Sequence, residues 1–216
     1  MQNIPWTETV FILTSILTLL AYHIYLVYMV RTRPLKTSIG LSNRLRRGWV
    51  ETVIEEKRDV LAVQTLRNWV MAASFLASTA ILLAIGILNV AFRSEKLSPI
   101  AQVVNLLGSQ SETLWFVKLL LLTIDFFFAF FNFSLAIRYY NHAGFMINVP
   151  GDRDSLVSPE YIAKVLHRGT LHYTIGMRGY YLAIPFALWL FGPTWLLIGT
   201  IILVAVLRKL DQAPSA

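Results

Sequence analysis

The feature that most limits how this chain folds is the length of its uncharged apolar runs. Residues 9–30 form 22 positions without Asp, Glu, Lys or Arg, and residues 180–207 form 28. About 20 helical residues cross a bilayer's hydrocarbon core, and backbone in lipid must satisfy its own hydrogen bonds, which selects helix. Further apolar runs occupy 68–92 and 114–137. The expectation is an all-α, polytopic transmembrane bundle of about four spans, at 9–30, 68–92, 114–137 and 180–207, in one membrane domain covering 1–216. Composition agrees: 56% of the 216 residues are hydrophobic and 14% charged, against roughly a quarter charged in soluble domains. Without cysteine, disulfides, thiolate metal sites and thiol catalysis are excluded.

The first run reads as a permanent anchor. Glu8 and no Lys or Arg precede it, it is long for a signal peptide, and no small-residue cleavage pattern follows. The fourth run is too short for two full crossings, so it reads as one long tilted span kinked at Gly192-Pro193, with a re-entrant hairpin turning there as the alternative.

The two intervening basic segments, 31–67 and 138–179, hold nine and five Lys/Arg, against two in the loop 93–113. By the positive-inside rule they face the cytoplasm, which puts both termini on the periplasmic side of a cell inner membrane. Arg208 and Lys209 sit poorly with that placement. Within 31–67, Leu41, Leu45, Trp49, Val53 and Ile54 fall at helical spacing opposite Arg44, Arg46, Arg47 and Glu51. Such an amphipathic helix either lies in the headgroup layer, with Arg44, Arg46 and Arg47 on anionic lipid phosphates, or packs on the bundle. Ser158-Pro159-Glu160 starts a second amphipathic helix, which Gly176 and Gly179 are expected to end. Ser98-Pro99 opens a short helix through Leu107, and Asp152 and Asp154 flank Arg153 as loop charges.

Polar residues inside spans carry the chemical interest, since they normally face the bundle interior. Lys118, Asp125 and Asn132 recur every seven residues and share one face of the third span. Lys118, close to the outer end, is expected to snorkel. His23 lies at a depth similar to Asn132, so a ladder of His23, Asn132 and Asp125 would suit proton or cation passage. The plain alternative is interhelical hydrogen bonding. The small pairs Ala73/Ala77 and Ser74/Ser78 permit close helix approach, within one bundle or between copies. His142, His167 and His172 do not make a convincing metal site, and no nucleophile elbow, phosphate loop or zinc-protease motif occurs. No metal or cofactor is expected.

The segments AYHIYLVYMVRTRPLKTSIG (21–40), RRGWV (46–50), LAVQTLRNWVMAASFLASTAI (61–81), FNFSLAIRYYNHAGFMINVP (131–150) and RGYYLAIPFALWLFGP (178–193) resemble the membrane protein family catalogued as domain of unknown function 599. The resemblance spans nearly the whole chain and implies a four-span bacterial membrane protein; it transfers no catalytic residue. Its stretches gather Arg33, Arg67, Asn68, Arg138, Asn141, His142 and Arg178 at the cytoplasmic span ends. These would cap helices, bind lipid phosphate or floor an inward-facing vestibule. The expected partners are a bilayer with anionic headgroups and other copies or a membrane complex, not nucleic acid. Three functions compete: an oligomeric channel or small-ion transporter first, an accessory subunit binding lipids or a larger complex second, a membrane lipid enzyme third.

Overall fold

A computed structural model describes residues 6–93, 111–149 and 158–214. The helix expected from Ser98-Pro99 and the charges Asp152 and Asp154 lie outside the described residues. Among these residues there are six α-helices and no strands: α1 (Trp6–Thr32), α2 (Ser38–Glu55), α3 (Asp59–Phe92), α4 (Glu112–Ile147), α5 (Pro159–Trp189) and α6 (Pro193–Asp211). One 3-10 turn, Pro34–Lys36, joins α1 to α2. Helices α1, α3, α4 and α6 are long and apolar enough to cross a membrane. The chain is a polytopic transmembrane helical bundle.

The helices pack as a row: α3 on α4, α4 on α5, α5 on α6, and α6 on α1. At 36 residues, α4 is about 54 Å long at 1.5 Å per residue, and it is the most enclosed helix. Its contact with α3 is a seam of small residues: Ala77, Ala80 and Ala84 receive Leu122, Phe126 and Phe133. The Ala73/Ala77 pair is buried within the chain, while Ser78 points outward. Along α5, glycines do the same for α4. A Cβ on Gly169 would stand 2.8 Å from the Tyr140 ring, and one on Gly176 3.0 Å from Phe133. Gly176 and Gly179 therefore do not end the second amphipathic helix; α5 runs through them, and through Pro185, to Trp189. Its start is as expected, with Ser158 accepting from the Tyr161 amide and Pro159 in the first turn.

The last apolar run is not one tilted span. The helix stops at Trp189, and Gly192 takes φ 139°, a backbone region that a side chain strongly disfavours. Pro193 then opens α6. The chain reverses, so that Gly199 of α6 packs on Pro185 and Leu188 of α5. The turn sits where the hairpin alternative placed it, and the sequence misses its consequence because α5 supplies the outgoing arm from below residue 180. A common side is expected for both termini, and the packing sets the described ends apart. Thr37, just past α1, pairs with Gln212, while Glu8 near the start of α1 meets Lys118 near the start of α4. The described ends of the chain thus lie at opposite ends of the bundle, and Arg208 and Lys209 join the basic end.

Candidate functional site

The site lies at the basic end, beneath α2. Thr37 caps that helix, accepting from the Gly40 amide at 3.1 Å. Gly40 is required there, because a Cβ would fall 2.3 Å from the Pro34 carbonyl oxygen. The Ala213 amide donates to the Lys36 carbonyl at 3.1 Å, strapping the chain after α6 to the entrance of α2. Val50 and Val53 then bury against a core that includes Leu66, Tyr140, Ile162 and Leu166. So α2 packs on the bundle, as the second of its two expected placements had it.

That packing separates three arginines which the sequence treated as one outer row. Arg44 and Arg47 are exposed, and Arg47 pairs with Glu51 at 3.1 Å. Arg46 turns inward. It is half-buried and donates from Nη1 to the Asn43 side-chain oxygen at 3.0 Å. The same oxygen lies 3.0 Å from His167 Nδ1, which must therefore carry the proton. No Asp or Glu forms an ion pair with Arg46 among the described residues. Burial lowers the Arg46 pKa, with Tyr140 partly opposing, and burial followed by Arg46 lowers that of His167.

Across the cavity, Arg178 of α5 donates through Nη2 to both oxygens of Asp211 at 2.8 and 2.7 Å. Tyr22 of α1 donates to the same carboxylate. This triad joins α1, α5 and α6, while Arg178 Nη1 stays buried without a hydrogen-bond partner. Between the arginines is a cavity of about 320 Å³ whose walls include Ser42, Thr170, Tyr173, Thr174, Arg46 and Arg178. Hydroxyl donors with two guanidinium groups suit an oxyanion.

The other expected site residues do not converge. Lys118 does not snorkel. Its side chain has 0% exposure, 3.6 Å from Glu8, with Nζ 5.3 Å from the Trp189 ring centroid. Asp125 is buried beside Gly179, and its Oδ2 accepts no hydrogen bond. The ladder from His23 to Asn132 is not built, because at that depth α1 packs on α6, with Tyr22 against Leu203 and Leu207. His23 bonds the Leu19 carbonyl at 2.8 Å. Asn132 instead accepts from His172 Nδ1 at 3.0 Å, and that imidazole stacks on Tyr139.

Nor is there one vestibule. Arg138, Asn141 and His142 line a groove between α4 and α5, Arg67 lines another between α3 and α4, and Arg33 and Asn68 are exposed. Only Arg178 reaches the cavity. Among the described residues no three His, Asp or Glu side chains gather as a metal site. Sequence reasoning missed Tyr22, Asn43 and Asp211. The misfit of Arg208-Lys209 with an outside terminus was the available signal for Asp211, since it already argued that α6 ends on the basic side.

The sequence match to a protein family of unknown function, DUF599, runs over residues 10–216. The chain belongs to the DUF599 family. No curated protein and no solved structure matches it. Membership in DUF599 agrees with the expected family and brings no activity with it, so function rests on the cavity's own chemistry.

Proposed function

We propose that this protein is a membrane-embedded binding protein that takes a phosphate-type anion into the cavity beneath α2, from the cytoplasmic leaflet. This develops the second of the functions weighed from sequence, a lipid-binding or accessory membrane protein. One observation carries it: Arg46 is a half-buried guanidinium without a carboxylate in an ion pair among the described residues. A partly buried charge lacking a counter-charge is costly, and an incoming anion beside Arg46 offsets that cost. Arginine's planar fork matches phosphate geometry. The test is the thermal midpoint of purified protein in micelles with added glycerol 3-phosphate, for wild type and Arg46→Gln. The reading expects a rise in wild type that the variant loses. Equal responses in the two proteins sink it.

Ion conduction is the second reading, favoured by the unpartnered Oδ2 of Asp125 inside the α4–α5 contact. It expects proton or potassium flux into proteoliposomes that falls in Asp125→Asn. Flux no greater than in empty liposomes removes it.

A further inference from the structure

The cavity beneath α2 does not end at Arg46. A second cavity, of about 300 Å³, shares Arg46, Thr170 and Tyr173 with the first, and its remaining walls are Trp69, Ala72 and Tyr140. One side of Arg46 is thus lined by hydroxyls and the Arg178–Asp211 pair, with Leu207 and Leu210 beside them, and the other by aromatic rings and a methyl group. Ala72 belongs to the outer face of α3, where Met71 is 61% and Phe75 73% exposed. In a membrane-spanning bundle that face meets lipid. Helices α2 and α3 touch little; Trp49 against Trp69, ring centroids 6.0 Å apart, is a contact between them.

We propose that the anion arrives on an amphiphile, with its phosphate held at Arg46 and Arg178 and its hydrocarbon chain leaving sideways past Trp69 and Ala72 into the bilayer. The proposal rests on the anion-binding reading and adds the ligand class and the route. Polarity is the reason for this division. A free inorganic anion would use only the hydroxyl-lined cavity and leave the aromatic one unfilled. A phosphate with an apolar tail matches both halves and crosses the guanidinium where they meet. Ligand sites are mostly apolar with a few placed polar groups, and the pair of cavities has that make-up.

The test uses the intact protein in micelles and two probes, dioleoyl phosphatidate and glycerol 3-phosphate. Ala72→Trp fills the lateral opening from a position that points away from the core. It should weaken retention of phosphatidate, read by native mass spectrometry, about ten-fold or more, and leave the thermal shift with glycerol 3-phosphate as in wild type. Arg46→Gln should reduce both. If Ala72→Trp leaves both unchanged while Arg46→Gln lowers both, the sideways route past Ala72 is wrong. If Arg46→Gln changes neither, anion binding itself fails, and the route with it. A second readout does not need the Ala72 variant: phosphatidate brominated on its chains should quench Trp69 fluorescence, measured as the difference between wild type and Trp69→Phe. Brominated phosphatidylcholine at the same mole fraction should quench it less. Equal quenching by the two lipids overturns the proposal.

Discussion

Among the described residues the bundle holds two largely buried ion pairs, one toward each end, and they are built differently. Glu8 and Lys118 join α1 to α4 with side-chain exposures of 1% and 0%, at 3.6 Å, under the Trp189 ring. Arg178 and Asp211 join α5 to α6 with exposures of 16% and 14%, at 2.7 Å, and Tyr22 adds α1 to the same carboxylate. The first pair is sealed, with Leu114, Trp189 and Leu196 forming an apolar cluster at that end. The second lines a cavity that also holds an inward arginine. Sealing confines the first pair to holding helices together. The second pair has an open side, and on the proposed reading that side is where a ligand meets it.

The largest expected effect breaks the sealed pair. Glu8→Gln leaves the Lys118 ammonium buried without its anion, a situation that typically costs about 3–5 kcal/mol. Unfolding in mixed micelles should show that loss, and Glu8→Gln combined with Lys118→Met should recover most of it. A single variant as stable as wild type would mean that the pair is not sealed.

Asp211→Asn sharpens the contrast. It removes a charged acceptor of Arg178 and Tyr22, at a cost of about 2 kcal/mol, yet it frees Arg178 for an external anion. Stability should fall while affinity for glycerol 3-phosphate rises. If both fall together, Arg178 needs Asp211 to hold it in place, and its free nitrogen does not meet the anion.

Gly192→Ala forces a side chain onto φ 139° at the turn between α5 and α6, for about 1–2 kcal/mol. The loss should appear in the unfolding midpoint and leave glycerol 3-phosphate binding unchanged, because the turn lies at the sealed end. Weakened binding would show that the two ends are coupled.

The smallest effect is on pH dependence. His167 is held below its ordinary 6.5 by burial and by Arg46. Its folded pKa is the lower one, so the unfolded chain takes up more protons as pH falls, and the stability present above 6.5 is lost below it. Between about pH 7.5 and about pH 5.5, wild type should lose more thermal stability than His167→Gln. Identical profiles would show that the imidazole is not held neutral beside Arg46.

Much of the bundle was legible because length and polarity are local properties. Residues 9–30, 68–92 and 114–137 fall within α1, α3 and α4, and Ser158-Pro159 starts α5 where expected. Gly176 and Gly179 misled because a glycine that ends a helix and one that admits a neighbouring helix look alike in sequence. At these two the packing decides, with Phe133 and Ala129 of α4 against them. The polar face of α4 was legible as a face, but its partners were not. Asn132 meets His172 instead of His23 because α1 packs against α6, and no periodicity within α1 or α4 contains that choice.

The sequence by itself determined that the chain is a helical membrane protein with one strongly basic end and three charged or amide side chains inside its third span, because each follows from hydropathy, charge count and the 3.6-residue repeat. Tertiary structure decided which way the last helix runs and which arginine turns inward. Arg44, Arg46 and Arg47 differ little in sequence. Only the burial of Val50 and Val53, together with the strap from Lys36 to Ala213, sets the rotation of α2 that points Arg46 at the cavity. That rotation comes from contacts between distant segments, which a local pattern does not record.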